Sequence, residues 1–67
     1  AHDRAVLQLF ANACQEGKNA KAWRLAREVK QDHGLVACNK IAERIGLVSL
    51  SNRINKLREQ RMEEEIL

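Results

Sequence analysis

The sequence predicts an all-α fold, a small up-down bundle of about four helices. Its 67 residues include no proline and no tyrosine, and 45% of them are hydrophobic. Strong helix formers dominate, whereas the β-branched and aromatic residues that favour strands are few. Apolar residues recur at intervals of three and four, which is the period of a one-sided helix. The three glycines, Gly17, Gly34 and Gly46, each follow a helix-like stretch, where a left-handed residue commonly closes a helix.

The apolar period and the positions of the three glycines predict four helices. Their predicted ranges are Asp3–Gln15, Ala20–Asp32, Leu35–Ile45 and Leu50–Glu65. Asp3, Asn19 and Ser49 are predicted N-caps, because their side-chain oxygens can accept the free N–H groups of a first turn. Connections this short between short helices make sequential helices antiparallel neighbours.

The apolar faces of the four helices differ in width. Helices 2 and 4 each carry one narrow stripe, whereas the apolar arc of helix 1 is about 200° wide. That arc contains Val6, Leu7, Leu9, Phe10, Ala11, Ala13 and Cys14. The apolar arc of helix 3 is also wide, and Ala37 and Ile41 lie on one flank of its central stripe. Some of this surface would stay exposed in a four-helix bundle, which predicts contact with a partner or with another part of a longer chain.

Length and charge narrow the class of protein. A chain of 67 residues is one small domain of marginal stability, so we expect residues 1–67 to be a single helical protein-interaction domain cut from a larger chain. The formal net charge of +3 is only mildly basic. No run of 18 apolar residues exists, so we expect no membrane span. Cys14 and Cys38 are interpreted as buried, reduced residues of a nuclear or cytoplasmic protein.

Catalysis and metal binding are not indicated. Neither cysteine lies in a nucleophile motif, and no glycine-rich phosphate loop is present, so we expect no enzyme activity and no cofactor. His33 and Cys38 are five residues apart, but a structural zinc site needs four ligands that usually come in close pairs. We therefore expect no metal site.

Nucleic-acid binding is the alternative function, and the basic helix at residues 18–30 is its first candidate. Cations recur there at every third position: Lys18, Lys21, Arg24, Arg27 and Lys30. At that spacing they wind around a helix, so they are either its solvated side or phosphate contacts. Trp23 lies off the apolar stripe of this helix and is expected either to pack against neighbouring chain or to anchor a partner.

A helix-turn-helix-like segment at residues 35–58 is the second candidate. Its second helix would read DNA with Arg53, Lys56 and Arg58. The acidic run at residues 63–65, at the end of the same helix, would repel phosphate.

Two stretches carry a family resemblance. The first is RAVLQLFANAC at residues 4–14, followed by AWRLA at 22–26, and the second is KIAER at 40–44, followed by LVSLSNRINKL at 47–57. Together they resemble the C-terminal helical domain of the SepB family. This is the chromosome-transmission-fidelity class of replisome adaptors, which includes the acidic nucleoplasmic DNA-binding proteins of animals.

The resemblance implies a non-enzymatic adaptor of DNA replication in the nucleus. In that family the helical domain packs on a six-bladed β-propeller, which forms a trimer. Short helical peptides of other replication proteins dock on the helical domain. They include the catalytic subunit of DNA polymerase α and a subunit of the GINS helicase complex, so the adaptor couples helicase to polymerase.

A docking groove is predicted between helices 1 and 3, which we expect to flank helix 2 and to run parallel. Leu7 and Ala11 are one turn apart on helix 1, and Ala37 and Ile41 are one turn apart on helix 3. Each pair joins a small residue, which lets a visiting backbone approach, to a branched one, which supplies apolar area. The resemblance supports a helix-in-groove site lined by these four residues.

Basic residues complete the predicted site. Arg4 and Arg44 lie near the two pairs and could bind acidic residues of the docked peptide. The competing interpretation is that the four apolar residues belong to the core and that no groove exists.

Overall fold

The computed structural model describes residues 2–66, with side chains through residue 64, as four α-helices. These are α1 (His2–Gln15), α2 (Asn19–Glu28), α3 (Asp32–Ile45) and α4 (Val48–Ile66). The predicted all-α fold is confirmed, and residues 2–66 contain no strand.

The helices alternate in direction. The start of α1 lies at the end of α2, where His2 Nε2 is 3.3 Å from the carbonyl oxygen of Glu28. Farther along, α4 returns past the start of α3, where Arg58 Nε is 2.8 Å from Asp32 Oδ1. α1 packs against both α2 and α3, and α4 packs against α3 and more lightly against α2. The predicted arrangement, with helices 1 and 3 on either side of helix 2, is therefore wrong. α3 packs directly on the second side of the broad apolar arc of α1.

Two of the three glycines close helices as predicted. Gly17 and Gly46 have φ angles of 74° and 90°. The N–H of Gly46 donates to the carbonyls of Ala42 and Glu43, and the next N–H, of Leu47, also donates to Ala42. This is a Schellman-type ending, in which a left-handed residue satisfies the last carbonyls of a helix.

Gly34 does not close a helix, and that prediction is wrong. It lies in the first turn of α3 and is buried. A Cβ at this position would lie 2.6 Å from Cγ1 of Val29 and 3.4 Å from Oδ2 of Asp3. The missing side chain therefore allows the start of α3 to approach the chain that precedes it and the first turn of α1.

α2 ends four residues earlier than predicted, at Glu28. Val29 is extended, with φ −66° and ψ 129°, and its side chain is buried. The backbone N–H groups of Lys30 and Gln31 then donate to the carboxylate of Asp3. Burial of Val29 and these two hydrogen bonds favour the extended link over continued helix.

The predicted N-caps are also displaced. Asp3 lies inside the first turn of α1, and its carboxylate binds the 30–31 link instead of its own helix. The residue before α2 is Lys18, which makes no side-chain cap hydrogen bond, and Asn19 is already helical. α4 begins at Val48, so Ser49 is its second residue. α1 and α4 begin one residue before their predicted caps and α2 begins at its predicted cap, because a short polar residue near a helix start marks the boundary only loosely.

The core draws on all four helices and on the link after α2. Its buried apolar residues are Val6, Phe10, Ala13, Cys14, Ala22, Ala26, Val29, Leu35, Cys38, Ala42, Leu50 and Ile54. The polar residue Ser51 is buried with them, and its hydroxyl donates to Oδ1 of Asn39, which joins α4 to α3. Leu9 and Ile45 are 49% and 44% exposed, so part of the wide apolar arcs stays open, as predicted.

Cys14 and Cys38 are buried free thiols, in agreement with their predicted structural role. Burial raises the pKa of Cys38 to about 12, with further contributions from Cys14 and Asp3. The described part of the chain contains no group of three metal-ligating residues. Within residues 2–66, no helix combines the length and the apolar character that crossing a membrane requires.

Candidate functional site

An open groove of about 620 Å³ lies between α1 and α3. This volume is within the range of ordinary ligand pockets. Its floor is apolar and is formed by Leu7, Ala11 and Ile41, and charged and polar side chains surround it. The fold creates the groove because α1 and α3 start at the same end of the domain and run in the same direction.

The floor follows from the helical spacing on each side. Leu7 and Ala11 are separated by one turn of α1, and both are half-buried. Leu7 and Ile41 pack with one side against the core while still facing the groove. Ala11 is too small to fill the space between the helices, so the groove remains open beside it. These residues retain apolar surface that a partner can cover.

Four of the six predicted site residues lie together in this groove. Leu7, Ala11, Ile41 and Arg4 all line it. Ala37 is half-buried one turn before Ile41 but does not line the groove. Arg44 is exposed and also lies outside the lining residues, close to one turn beyond Ile41.

Several lining residues were not predicted, among them Lys30 and His33. Lys30 was placed on helix 2, but the chain leaves that helix at Val29, and Lys30 consequently reaches the groove. For His33 a sequence signal existed, since it lies four residues before Ala37 and eight before Ile41, on one face of α3.

The rim of the groove is electropositive. Its carboxylate, Asp3, already accepts hydrogen bonds of 3.1 Å from the N–H of Lys30 and 3.0 Å from that of Gln31. The Lys30 N–H lowers the pKa of Asp3 most strongly, the Gln31 N–H and the charges of His2 and His33 lower it further, and burial partly opposes them. The lowered pKa keeps Asp3 ionised, but the two cations Arg4 and Lys30 outnumber this one carboxylate among the described lining side chains, so the end of the groove where α1 and α3 begin is net positive.

The cations of residues 18–30 do not share one surface. Lys18 pairs with Glu16 at 3.6 Å, at the turn between α1 and α2. Lys30 rims the α1–α3 groove, and Arg27 lines a second cleft, between α2 and α4. The proposed nucleic-acid face along the whole of 18–30 is therefore divided among three places.

In the helix-turn-helix-like segment, the three residues predicted to contact DNA, Arg53, Lys56 and Arg58, also lie on different surfaces. Arg58 makes hydrogen bonds of 2.8 and 3.0 Å to the carboxylate of Asp32, which raise the pKa of Arg58 and lower that of Asp32. Arg53 and Lys56 instead line the cleft between α2 and α4, beside the half-buried Trp23. Nucleic-acid binding by residues 35–58 as one unit stays a prediction.

Fold and groove together define a small all-α domain with an open apolar channel between two parallel helices. Residues 1–64 match the family described as DNA polymerase alpha-binding protein Ctf4, C-terminal domain, and the chain belongs to that family. It is 48% identical over 66 residues to the DNA polymerase alpha-binding protein of Saccharomyces cerevisiae. The match covers 98% of this chain and 7% of the relative, so the chain spans a small part of the relative's length. The predicted family is confirmed at the level of the Ctf4 C-terminal domain, while the SepB and acidic nucleoplasmic names stay predictions.

Proposed function

We propose that the α1–α3 groove docks a short amphipathic helix carrying acidic residues, and that the domain serves as a non-enzymatic replisome adaptor that recruits DNA polymerase α. The observation that carries the proposal is the combination of an apolar floor with a basic rim in one groove. Membership in the Ctf4 C-terminal domain family and 48% identity to a protein named for binding DNA polymerase alpha support the choice of partner.

The shape of the site suits a helix. Two side-by-side helices leave a channel in which a third helix can lie, with its apolar side chains spaced one turn apart. Ala11 lets the backbone of the visiting helix come close, and Leu7 and Ile41 provide apolar contacts on either side. Complete burial of a side chain of this size contributes about 1.5–3 kcal/mol, and because the core already covers one side of Leu7 and Ile41, a docked helix would contribute only part of that for each.

The charges suit acidic residues at one end of that helix. Arg4, Lys30 and His33 cluster where α1 and α3 begin. The ionised carboxylate of Asp3 offsets only part of the charge of Arg4 and Lys30 there. Acidic side chains of the peptide would therefore lie over this end. The rim is solvated, so its ion pairs would contribute about 1 kcal/mol or less each and act mainly on specificity and association rate.

Further parts of the proposal rest on the family resemblance. They are that the docked peptides come from the catalytic subunit of DNA polymerase α and from a GINS subunit, that the protein is nuclear, and that a propeller domain elsewhere in the whole protein forms a trimer. The mass of the whole protein in solution tests the trimer, and imaging of the tagged whole protein tests the location. A monomeric whole protein would contradict the trimer, and exclusion from the nucleus would contradict the nuclear location.

Glutamate substitutions test the groove. Ala11→Glu should abolish binding of a helical partner peptide while the domain stays folded, because a charge would be desolvated under the docked helix. Ala37→Glu should weaken binding less, because Ala37 lies one turn before Ile41 but does not line the groove. Binding is measured by fluorescence anisotropy with labelled peptides that tile the DNA polymerase α catalytic subunit. Folding is followed by thermal melts.

The matched control is Ala5→Glu, the same substitution at an exposed position of α1 that does not line the groove. It should bind like the unaltered domain. If Ala11→Glu unfolds, Ala11 is a core residue and the site lies elsewhere. If it stays folded and binds normally, the groove assignment is wrong.

The basic rim is tested separately. Arg4→Gln should weaken peptide binding several-fold at low salt and less at high salt, because rim charges are screened. Arg44→Gln should have the smaller effect, since Arg44 lies outside the lining residues. If both variants lost the same amount of peptide affinity, and the loss did not depend on salt, acidic residues of the peptide would not lie at the start of α1.

A further inference from the structure

A second cleft, of about 370 Å³, lies between α2 and α4. Three cations line it, Arg27, Arg53 and Lys56, together with Trp23 from α2 and Leu57 from α4. Gln60 is the remaining lining residue, so none of the carboxylates whose side chains are described lines the cleft. A smaller depression of about 210 Å³ shares Arg53 and extends the cleft along the α2–α4 seam to the start of α2.

The three cations are available to a ligand. The two ion pairs among the described side chains are Lys18–Glu16 and Arg58–Asp32, and neither uses a cleft residue. Arg27, Arg53 and Lys56 are all exposed. Arg61, by contrast, is committed to the fold, because its guanidinium donates to the carbonyls of Arg27 and Val29.

Charge varies along α4. Glu63 and Glu64 are exposed about one turn beyond Gln60, at one end of the cleft. The other end opens toward Asn19 and Ser49, which are uncharged. A polyanion would therefore bind from Lys56 toward Arg53 and away from the glutamates.

An aromatic side chain lies within this cationic surface. Trp23 is half-buried against the core, and its remaining surface faces the cleft with Leu57. A groove of cations that surrounds an aromatic platform is the composition of sites for single-stranded nucleic acid, where phosphates take the charges and a base stacks on the ring. A duplex is read by an element that protrudes into its groove, and this surface is concave.

We propose that the α2–α4 cleft binds single-stranded nucleic acid, with phosphates on Arg27, Arg53 and Lys56 and a base against Trp23. The cleft shares no lining residue with the α1–α3 groove, so the inference is independent of the peptide site. Both sites could be occupied at once.

Three phosphate contacts set the expected salt dependence. Single strands lose affinity with a logarithmic slope of about 0.7 per contact, so the slope should be about 2. Raising the salt from 50 to 200 mM should then weaken binding about 20-fold. Losing one contact should lower the slope by about 0.7.

The experiment titrates the domain with labelled oligothymidine and follows anisotropy at both salt concentrations. Trp23 is the single tryptophan of the chain, so quenching of its fluorescence reports directly on the cleft. Arg53→Gln and Lys56→Gln should each weaken binding several-fold and lower the salt slope. Both residues are exposed, so both variants should stay folded.

Arg4→Gln is the matched control, because it removes the same charge from the other groove. It should leave oligothymidine binding and Trp23 quenching almost unchanged, whereas Arg53→Gln should leave peptide binding in the α1–α3 groove unchanged. This separation distinguishes failure of the cleft proposal from failure of the peptide proposal.

Three results would overturn the proposal. The first is equal weakening by Arg4→Gln and Arg53→Gln, which means that only net charge matters. The second is binding without Trp23 quenching. The third is a duplex or an acidic peptide that binds the cleft more tightly than oligothymidine does, which would assign it to a different partner.

Discussion

Oδ2 of Asp3 lies 3.0 Å from the backbone nitrogen of Gln31, so the first turn of α1 holds the link between α2 and α3. The other carboxylate oxygen accepts the N–H of Lys30 at 3.1 Å. The two hydrogen bonds stabilise the extended link that separates α2 from α3. They also hold the ionised carboxylate at the basic rim of the groove, where it offsets part of the positive charge.

Asp3 should make stability depend on pH. Its folded-state pKa is lowered below the ordinary value of 3.8, so its contribution is fully present above that value and is lost as the pH falls through the lower, folded-state pKa. The pKa of Asp32 is also lowered, mainly by the hydrogen bond from Arg58, so Asp32 likewise stabilises the fold at higher pH and loses that contribution in acid. Asp3→Asn should lower the melting temperature at pH 7 and flatten its decline below about pH 4.

Thermal melts between pH 7 and pH 3 check this expectation. Glu64→Gln, which removes an exposed carboxylate that takes no part in the hydrogen bonds between Asp3 and the link, is the control and should keep the decline of the unaltered domain. An unchanged pH profile in Asp3→Asn would mean that the two hydrogen bonds contribute nothing to stability.

Gly34→Ala should destabilise the domain, although alanine ordinarily stabilises a helix by about 1 kcal/mol relative to glycine. The new Cβ would lie 2.6 Å from Cγ1 of Val29, a buried and stiff β-branched side chain, so the chain must shift. We expect a net loss of about 1–2 kcal/mol in the free energy of unfolding, measured by urea denaturation.

A double substitution separates this contact from other effects. Val29→Ala removes the clashing methyl group, so in that background Gly34→Ala should cost less than it does alone. Additive losses would show that the Val29 contact is not the cause.

Arg61→Ala should cost roughly 1–2 kcal/mol, because its guanidinium joins α4 to the carbonyls at the end of α2. Arg53→Ala, the same substitution two turns earlier on α4, should change stability by less than about 0.5 kcal/mol. Urea denaturation measures both. If Arg61→Ala and Arg53→Ala lowered the free energy of unfolding equally, the hydrogen bonds of Arg61 would not be what stabilises the fold.

The cysteines should behave as small core residues. Because Cys38 is fully buried and its pKa is raised to about 12, a thiol reagent should react with it only as fast as the domain opens. Cys38→Ala should weaken folding by about 1 kcal/mol and leave peptide binding intact. Fast labelling under native conditions, or loss of binding in the folded variant, would contradict this expectation.

Local patterns in the sequence predicted the number of helices, most of their boundaries and the residues that turn inward. Gly17 and Gly46 could be predicted as helix ends, because the left-handed conformation there depends on a few neighbouring backbone groups. Leu7, Ala11 and Ile41 could be selected because their spacing puts surplus apolar surface on α1 and α3.

Contacts between distant parts of the chain decided the rest. Gly34 looks like the other glycines in sequence, but its role comes from Val29 and from Asp3, which is 31 residues away. In the sequence, Lys30 continues the helical pattern of α2. In the structure its N–H binds Asp3 instead, and Lys30 lies outside α2 and lines the groove. Periodicity fixes which side of a helix is apolar, whereas the burial and hydrogen bonds gained between helices decide where each helix stops and which helix lies beside it.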